Sequence, residues 1–314
     1  MQPSRRAFLL GRRPVQTPWA TFLQRLGLLC QGTVRDLGAM ADGRARAVLT
    51  PLREGDVAHA RALCAEYGVV LALDDADGPF APVDGPLLAV DPGRLAGLAR
   101  LAGPAPRWRA QPGVPLAALA RAGLRQFAGL PQAMTLAQWL AAPAAWPAGG
   151  CAASGVLAVD LLLADGVEET LGPFGTDDLQ PLRSATVQRL VPALFQLVNG
   201  DLAAACRDGD AWLARYRLDA LAPRAPATVN LAHLMLGQGG TLGWVQGVTL
   251  ADSPPVADVG AAGASRADGP APRDVGPTTA APRQAAALQA RIKALFDPYG
   301  RFPAFAPSPN SDSL

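Results

Sequence analysis

Apolar residues recur along this chain at two different periods, and the switches between them outline its elements. Trp19, Phe22, Leu23, Leu26 and Leu29 follow helical spacing around the polar Gln24 and Arg25. That pattern predicts an amphipathic docking helix over 18–29. Residues 46–49 read as a short strand. In 54–67, Val57, Ala60, Cys64 and Tyr67 lie three and four apart on one helix face, and Gly68 follows where a left-handed cap belongs. Residues 69–73 are an unbroken Val, Leu and Ala run, which suits a buried strand. The unit 46–73 therefore predicts strand, crossover helix and parallel strand. A third strand is expected at 87–90. Residues 107–111, the Pro112-Gly113 turn and 115–122 predict strand, turn and helix, with Pro115 at the helix start.

The second region has a different texture. An apolar run at 156–163 ends at Asp165-Gly166, a dipeptide that favours a tight turn, so 168–171 is expected to return antiparallel. Val187, Leu190, Val191, Leu194 and Leu197 form one stripe of a helix over 186–198. Residues 202–218 also read as helical, interrupted by Asp208-Gly209-Asp210, and 244–250 reads as a last strand. Composition then changes: 251–282 contains no Leu, Ile, Met or aromatic residue. Such a segment cannot bury enough surface to offset its ordering entropy, and a disordered linker is expected. Helical spacing resumes at Gln284 through Leu288, Ile292 and Leu295, closes at 296–300, and gives way to a frayed tail from 307.

Composition narrows the classes. Of 314 residues, half are apolar and 17% charged, enough for one large domain or two small ones sharing an interface. A net charge of +2 gives no electrostatic signal for nucleic acid. Cys30, Cys64, Cys151 and Cys206 are widely spaced, and His59 and His233 are the two histidines, so no metal-ligating cluster is read. Ser4-Arg5-Arg6 begins like a twin-arginine export signal, but Arg12, Arg13 and Pro14 interrupt the apolar stretch such a signal needs. The expectation is a basic leader on a cytoplasmic chain, with no membrane span.

The densest chemical feature is Gly237-Gln238-Gly239-Gly240-Thr241-Leu242-Gly243. Four glycines in seven residues imply positive φ, or backbone approached closely by something large. A dinucleotide fingerprint needs glycines at its first, third and sixth positions before a helix; here the sixth residue is Leu242 and a strand follows. Spacing alone gives a tight turn leading into a strand.

With its flanks, 230–236 and 244–250, this cluster resembles the signature segment of FAD-linked oxidases of the vanillyl-alcohol-oxidase type, whose flavin domain is the PCMH type. Other segments match in order: 48–51 through Gly68-Val69-Val70, Leu88-Ala89-Val90-Asp91, Gln111-Pro112-Gly113-Val114, 161–166, and 288–300. The nearest relatives by this resemblance are D-lactate and glycolate dehydrogenase flavin subunits. The resemblance implies an α+β fold of two α/β subdomains, 46–92 and 93–250, the second with a helical insert at 184–230. They are flanked by the leader and amphipathic helix (1–45), the linker (251–282), and a C-terminal helix and tail (283–314) packing back on the first subdomain. It implies noncovalent FAD held by Gly237, Gly239, Gly240, Thr241, Leu242, Gly243, Pro112, Gly113 and Thr135. It also implies oxidation of a 2-hydroxy acid, and partner subunits of a dehydrogenase complex, peripheral to the inner membrane. It assigns no catalytic residue.

Departures from the family pattern point the other way. Where the family has a glycine-rich pyrophosphate loop, this chain has Asp74, Asp75 and Asp77. Each would repel a diphosphate by about 4 kcal/mol at 4 Å and an effective dielectric near 20. A second phosphate segment becomes 135–141, with Trp139 in place of paired glycines, and Phe302-Pro303-Ala304 replaces a terminal Asn-Pro-Gly. The substrate cap domain is missing; the 251–282 segment stands in its place. The alternative reading is a pseudoenzyme that keeps the fold as a scaffold and has lost flavin. His233 reads as a structural histidine. Asp177-Asp178 and Glu168-Glu169 read as solvated turn charges, and Arg107, Arg109, Arg121 and Arg125 as solvent-facing.

Overall fold

The computed structural model describes residues 17–40, 43–76, 80–144, 146–175, 184–254 and 280–306, with side chains of the last stretch described from 283. The leader at 1–16, Asp77, Asp177-Asp178, the tail from 307 and most of the expected linker (255–279) lie outside these residues.

The chain adopts the α+β arrangement of two subdomains expected of a PCMH-type domain. The first is a four-stranded sheet in the order β1-β2-β4-β3, from Thr33–Ala39, Ala45–Thr50, Val70–Leu73 and Leu87–Val90 (β1 to β4). Helices α1 (Pro18–Leu29) and α2 (Glu54–Tyr67) bury Phe22, Leu26, Val57, Ala60, Leu63 and Cys64 in its core. Helix α1 starts because Thr17 accepts the Ala20 N–H at 3.2 Å and Pro18 has no N–H to leave unpaired. Helix α2 stops at Gly68, whose φ of +66° closes the last turn. The fully buried Asp56 carboxylate accepts N–H groups from Gln31, Gly32 and Leu52, which ties the entry of β1 to the start of α2.

The strands before and after α2 are parallel, as expected, with β4 between them and Leu87 opposite both Arg46 and Val70. The crossover leaves a gap one strand wide, and the apolar 87–90 run fills it. The boundary expected at 45/46 fails, because β1 belongs to this sheet, antiparallel to β2.

The second sheet is antiparallel throughout, in the order β5-β6-β11-β7-β8. Its strands are β5 (Leu98–Leu101), β6 (Arg107–Ala110), β7 (Val156–Leu162), β8 (Glu168–Leu171) and β11 (Trp244–Ala251). β11 is central, and its nearly continuous burial follows from pairing on both edges and packing on both faces. Short helices α3 (Leu116–Arg121) and α4 (Leu136–Ala141), the helix α5 (Ala185–Val198) and the C-terminal α7 (Ala280–Phe296) complete this half.

The 202–218 stretch is not one helix. It comprises α6 (Asp201–Ala205) and a hairpin of β9 (Arg207–Asp208) and β10 (Ala211–Trp212), followed by an irregular run into a turn at Leu218–Leu221. Gly209, at φ +53°, makes the two-residue connection that a helix would have forbidden. Helix α7 also departs from expectation: Ala285, Leu288, Ile292 and Phe296 join the core of the second subdomain, not the first. Its apolar stripe finds α5 and α6 there. Only the segment after it returns to the first sheet, where Leu71 N–H donates to Arg301 O at 2.9 Å along the free edge of β3. The linker expectation also shifts at its ends. Ala251 lies in β11, Ser253 is buried and bonded to Gln126 and Ala153, and residues 280–282 are helical.

Candidate functional site

The glycine segment lies where the two sheets meet. A turn at Leu231–Met235, capped by Asn230, delivers the chain to it, and β11 leads away. Gly237, Gly239 and Gly240 have φ of +77°, +66° and +71°, the conformation their lack of a side chain permits. Gly243 is needed for a different reason: a Cβ there would lie 3.0 Å from Leu161 Cδ1. Both conditions read from the sequence hold, and the large object approaching the glycines is the protein itself. A Cβ on Gly240 would meet Leu73 Cβ at 3.0 Å, and one on Gly239 would overlap the ring of Phe305.

The whole segment is buried, and its donors are largely engaged within the chain. Gly237 N–H donates to Leu140 O at 2.8 Å and Gly239 N–H to Ala141 O at 3.1 Å. The Gln238 side chain, 2% exposed, accepts from the N–H groups of Thr241 and Leu242. Tyr216 Oη donates to Thr241 Oγ1 at 2.6 Å, because the Thr241 hydroxyl donates to Gln238 O; burial pushes the Tyr216 phenol up to about 12. Lys293 uses all three of its protons, on Thr241 O at 2.7 Å, Asp297 Oδ2 at 2.5 Å and Phe302 O at 3.1 Å.

The other expected cofactor contacts are also accounted for. Gly113 N–H donates to Leu95 O at 2.8 Å, and a Cβ on Gly113 would collide with the Pro92 carbonyl. Pro112 O accepts from Ala137 N–H. Thr135 is the N-cap of α4, in a reciprocal capping box with Gln138. Trp139 packs edge-on against Phe127 and Trp146, with ring centroids 4.8 and 5.8 Å away. After β3, Asp74 pairs with Arg46 at 3.1 Å, while burial and the neighbouring Asp75 carboxylate push its own carboxyl above the usual range.

Between the sheets, Leu71, Leu73, Ala137, Gly240, Trp244 and Phe302 enclose a cavity of about 10 Å³. That is room for at most one water, whereas a cofactor-sized ligand needs several hundred Å³. Around the glycine segment itself, the engaged donors and this cavity leave no space for FAD.

A wider groove of about 830 Å³ opens on the far side of Phe305, between α7, residues 212–216 and residues 304–306. On its wall, Arg215 donates to Gly237 O at 3.0 Å and Ala141 O at 2.8 Å, and its guanidinium lies 4.5 Å from the Phe305 ring centroid. Phe80 stacks on Phe305 at 5.4 Å with 14° between the rings, and Tyr216 approaches at 5.6 Å. Phe305, Arg215, Tyr216 and Phe80 were not legible as a site. The one hint was aromatic residues just past the last helix, where the family has Asn-Pro-Gly.

Other candidates resolve structurally. His233 is buried, and Glu169 is not a solvated turn charge: it is 9% exposed and accepts Ser184 N–H at 2.7 Å, while Glu168 accepts from Gln246. Arg107, Arg109, Arg121 and Arg125 are exposed, with Arg109 and Arg125 paired to Asp160 and Asp252. Burial pushes the thiols of Cys64 and Cys151 up to about 12 and that of Cys30 to about 11, so none is a thiolate nucleophile at neutral pH. Among the described residues no group could hold a metal ion, and no helix is long and apolar enough to cross a membrane.

No family model matches the chain, and neither does any curated protein. Solved structures are similar to it at low identity. A 4-ethylphenol oxidase from Gulosibacter chungangensis, in complex with isoeugenol, is 12% identical with a TM-score of 0.44, over 76% of this chain and 43% of that one. Physcomitrella patens BBE-like 1 is 14% identical with a TM-score of 0.43, over 73% and 43%. An alkyldihydroxyacetonephosphate synthase is 15% identical with a TM-score of 0.42, over 76% and 41%. The chain spans about two-fifths of the length of these structures.

Proposed function

We propose that this chain keeps the two-sheet flavin-domain fold as a non-catalytic scaffold or subunit, with the cofactor cleft closed by its own side chains. The observation that carries this reading is that Leu73 and Phe305 pack on Gly240 and Gly239, the glycines that the resemblance gives to the cofactor. The acidic 74–75 loop supports it, because phosphate sites are built from N–H donors and positive potential. As such a subunit it would work in the cytoplasm beside partner subunits of a dehydrogenase complex. The test is the absorption of purified protein between about 350 and 500 nm, the band set by flavin chemistry, after expression with FAD supplied. No band is expected, and a stoichiometric flavin spectrum would overturn the reading.

A second reading is an FAD-binding oxidoreductase acting on a 2-hydroxy acid such as lactate or glycolate. The positive-φ Gly239, which lies against the planar ring of Phe305, favours it, since a backbone without Cβ is a surface on which a flat group rests. FAD would supply the hydride acceptor. Gly239, Gly240 and Thr241 would hold it, and Phe305 would have to leave first.

A further inference from the structure

We propose that residues 1–16, together with the exposed side chains of β1 beside them, form a surface that binds an anionic lipid bilayer. Charge is divided unevenly along the chain. Residues 1–35 hold six arginines and no acidic residue, so the rest, with 22 basic and 26 acidic residues, carries −4. The modest net charge of +2 conceals this division. A basic block ahead of an acidic body is suited to meeting an anionic partner. Four of the six arginines lie in the leader, as the pairs Arg5-Arg6 and Arg12-Arg13.

What stands between the two pairs selects the partner. Phe8-Leu9-Leu10 is an apolar triplet with cations on both sides. On a nucleic acid the triplet would stay in water. On a bilayer it enters the acyl boundary while the arginines meet the headgroups, and lasting attachment needs two such signals. The folded part continues both signals where the leader joins it. Thr17 caps α1, and Trp19 Nε1 donates to Asp36 Oδ1 at 3.3 Å, which sets the root of the leader beside β1. On β1, Arg35 is exposed, Leu37 is 39% exposed, and Met40 just past its end is 43% exposed. The opposing charge there, Asp36, is held by Trp19 and by Gly38 N–H. β1 is the edge of its sheet opposite β3, the strand whose Leu73 packs on the glycine segment. The inference therefore goes beyond the scaffold reading and stands on residues remote from it, with or without flavin and with or without a dehydrogenase complex.

The test is sedimentation of the full chain with phosphatidylcholine vesicles, with and without about 30% phosphatidylglycerol to supply the anionic charge. The parent should bind the anionic vesicles about tenfold more tightly than the neutral ones, or better, and lose most of that advantage in about 0.5 M salt, where screening is strong. Replacing Arg5, Arg6, Arg12 and Arg13 together with Gln should remove it, since each arginine near such a surface strengthens binding about fivefold. Leu37→Gln with Met40→Gln should weaken binding about threefold or more by withdrawing apolar surface from the contact. Circular dichroism checks that the variants fold. Equal binding to both kinds of vesicle overturns the inference, as does a four-arginine variant that binds like the parent. Heparin, a polyanion without acyl chains, bound as tightly as the anionic vesicles would also overturn it, by assigning the leader to a charged macromolecule. Flavin found in the purified chain would strike the scaffold reading alone, so the two failures are distinct.

Discussion

His233 Nε2 lies 3.0 Å from the carbonyl oxygen of Val156, inside the core that joins the glycine segment to β7. A carbonyl only accepts, so Nε2 carries a proton and donates it to Val156 O. Burial lowers the His233 pKa to about 4, against the pull of that hydrogen bond. The unfolded chain, titrating near 6.5, therefore takes up a proton before the folded one does. Stability should be full above about pH 6.5 and fall as pH drops toward 4, by roughly 3 kcal/mol in all. Urea melts of the parent and of His233→Gln across this window check it: the variant should lack this part of the pH dependence.

Gly239→Ala and Gly209→Ala should separate backbone strain from close packing. Both positions have positive φ, +66° and +53°, but a Cβ at 209 meets nothing within 4 Å and one at 239 overlaps Phe305. The left-handed conformation costs an Ala about 1–2 kcal/mol, and overpacking adds about 1–3 kcal/mol. Thermal or denaturant melts should show Gly239→Ala as clearly the more damaging. Equal losses would mean that Phe305 yields without cost.

Removing one half of the Arg217–Asp219 pair should be among the costliest single changes. Their side chains are 2% and 0% exposed, the charges meet at 2.6 Å, and Asp219 also accepts Gly149 N–H at 2.7 Å. Asp219→Ala leaves a buried guanidinium without its counter-charge, an effect of about 3–5 kcal/mol. A shift below about 1 kcal/mol in the urea midpoint analysis would show that water reaches the pair.

Replacing Asp74 and Asp75 together with Gly should not restore flavin. The substitution removes negative charge from the loop, but the obstruction lies at Leu73 and Phe305. Incubation of the double variant with FAD, followed by gel filtration and absorption near 450 nm, where flavins absorb, should give no bound cofactor. Bound FAD would show that repulsion at the loop had been the barrier.

Sequence alone determined the elements whose signals are local. The 54–67 helix and its Gly68 stop were legible because a 3.6-residue stripe and a left-handed cap are complete within a few turns of chain. The 156–171 hairpin was legible because its Asp165-Gly166 turn sits between two strands that pair with each other. The positive φ of the 237–240 glycines followed from composition, since little else adopts it. Tertiary structure decided what depends on partners far along the chain. No local pattern says that 87–90 inserts between the two strands flanking α2, because an apolar run pairs equally well at an edge or a centre. The stripe of α7 required a core without naming which, and α5 and α6 supplied it. The neighbour of Gly239 belongs to this class as well: the glycine announces that something comes close, and only the folded chain, by returning Phe305 across more than 60 residues, decides that the visitor is its own side chain.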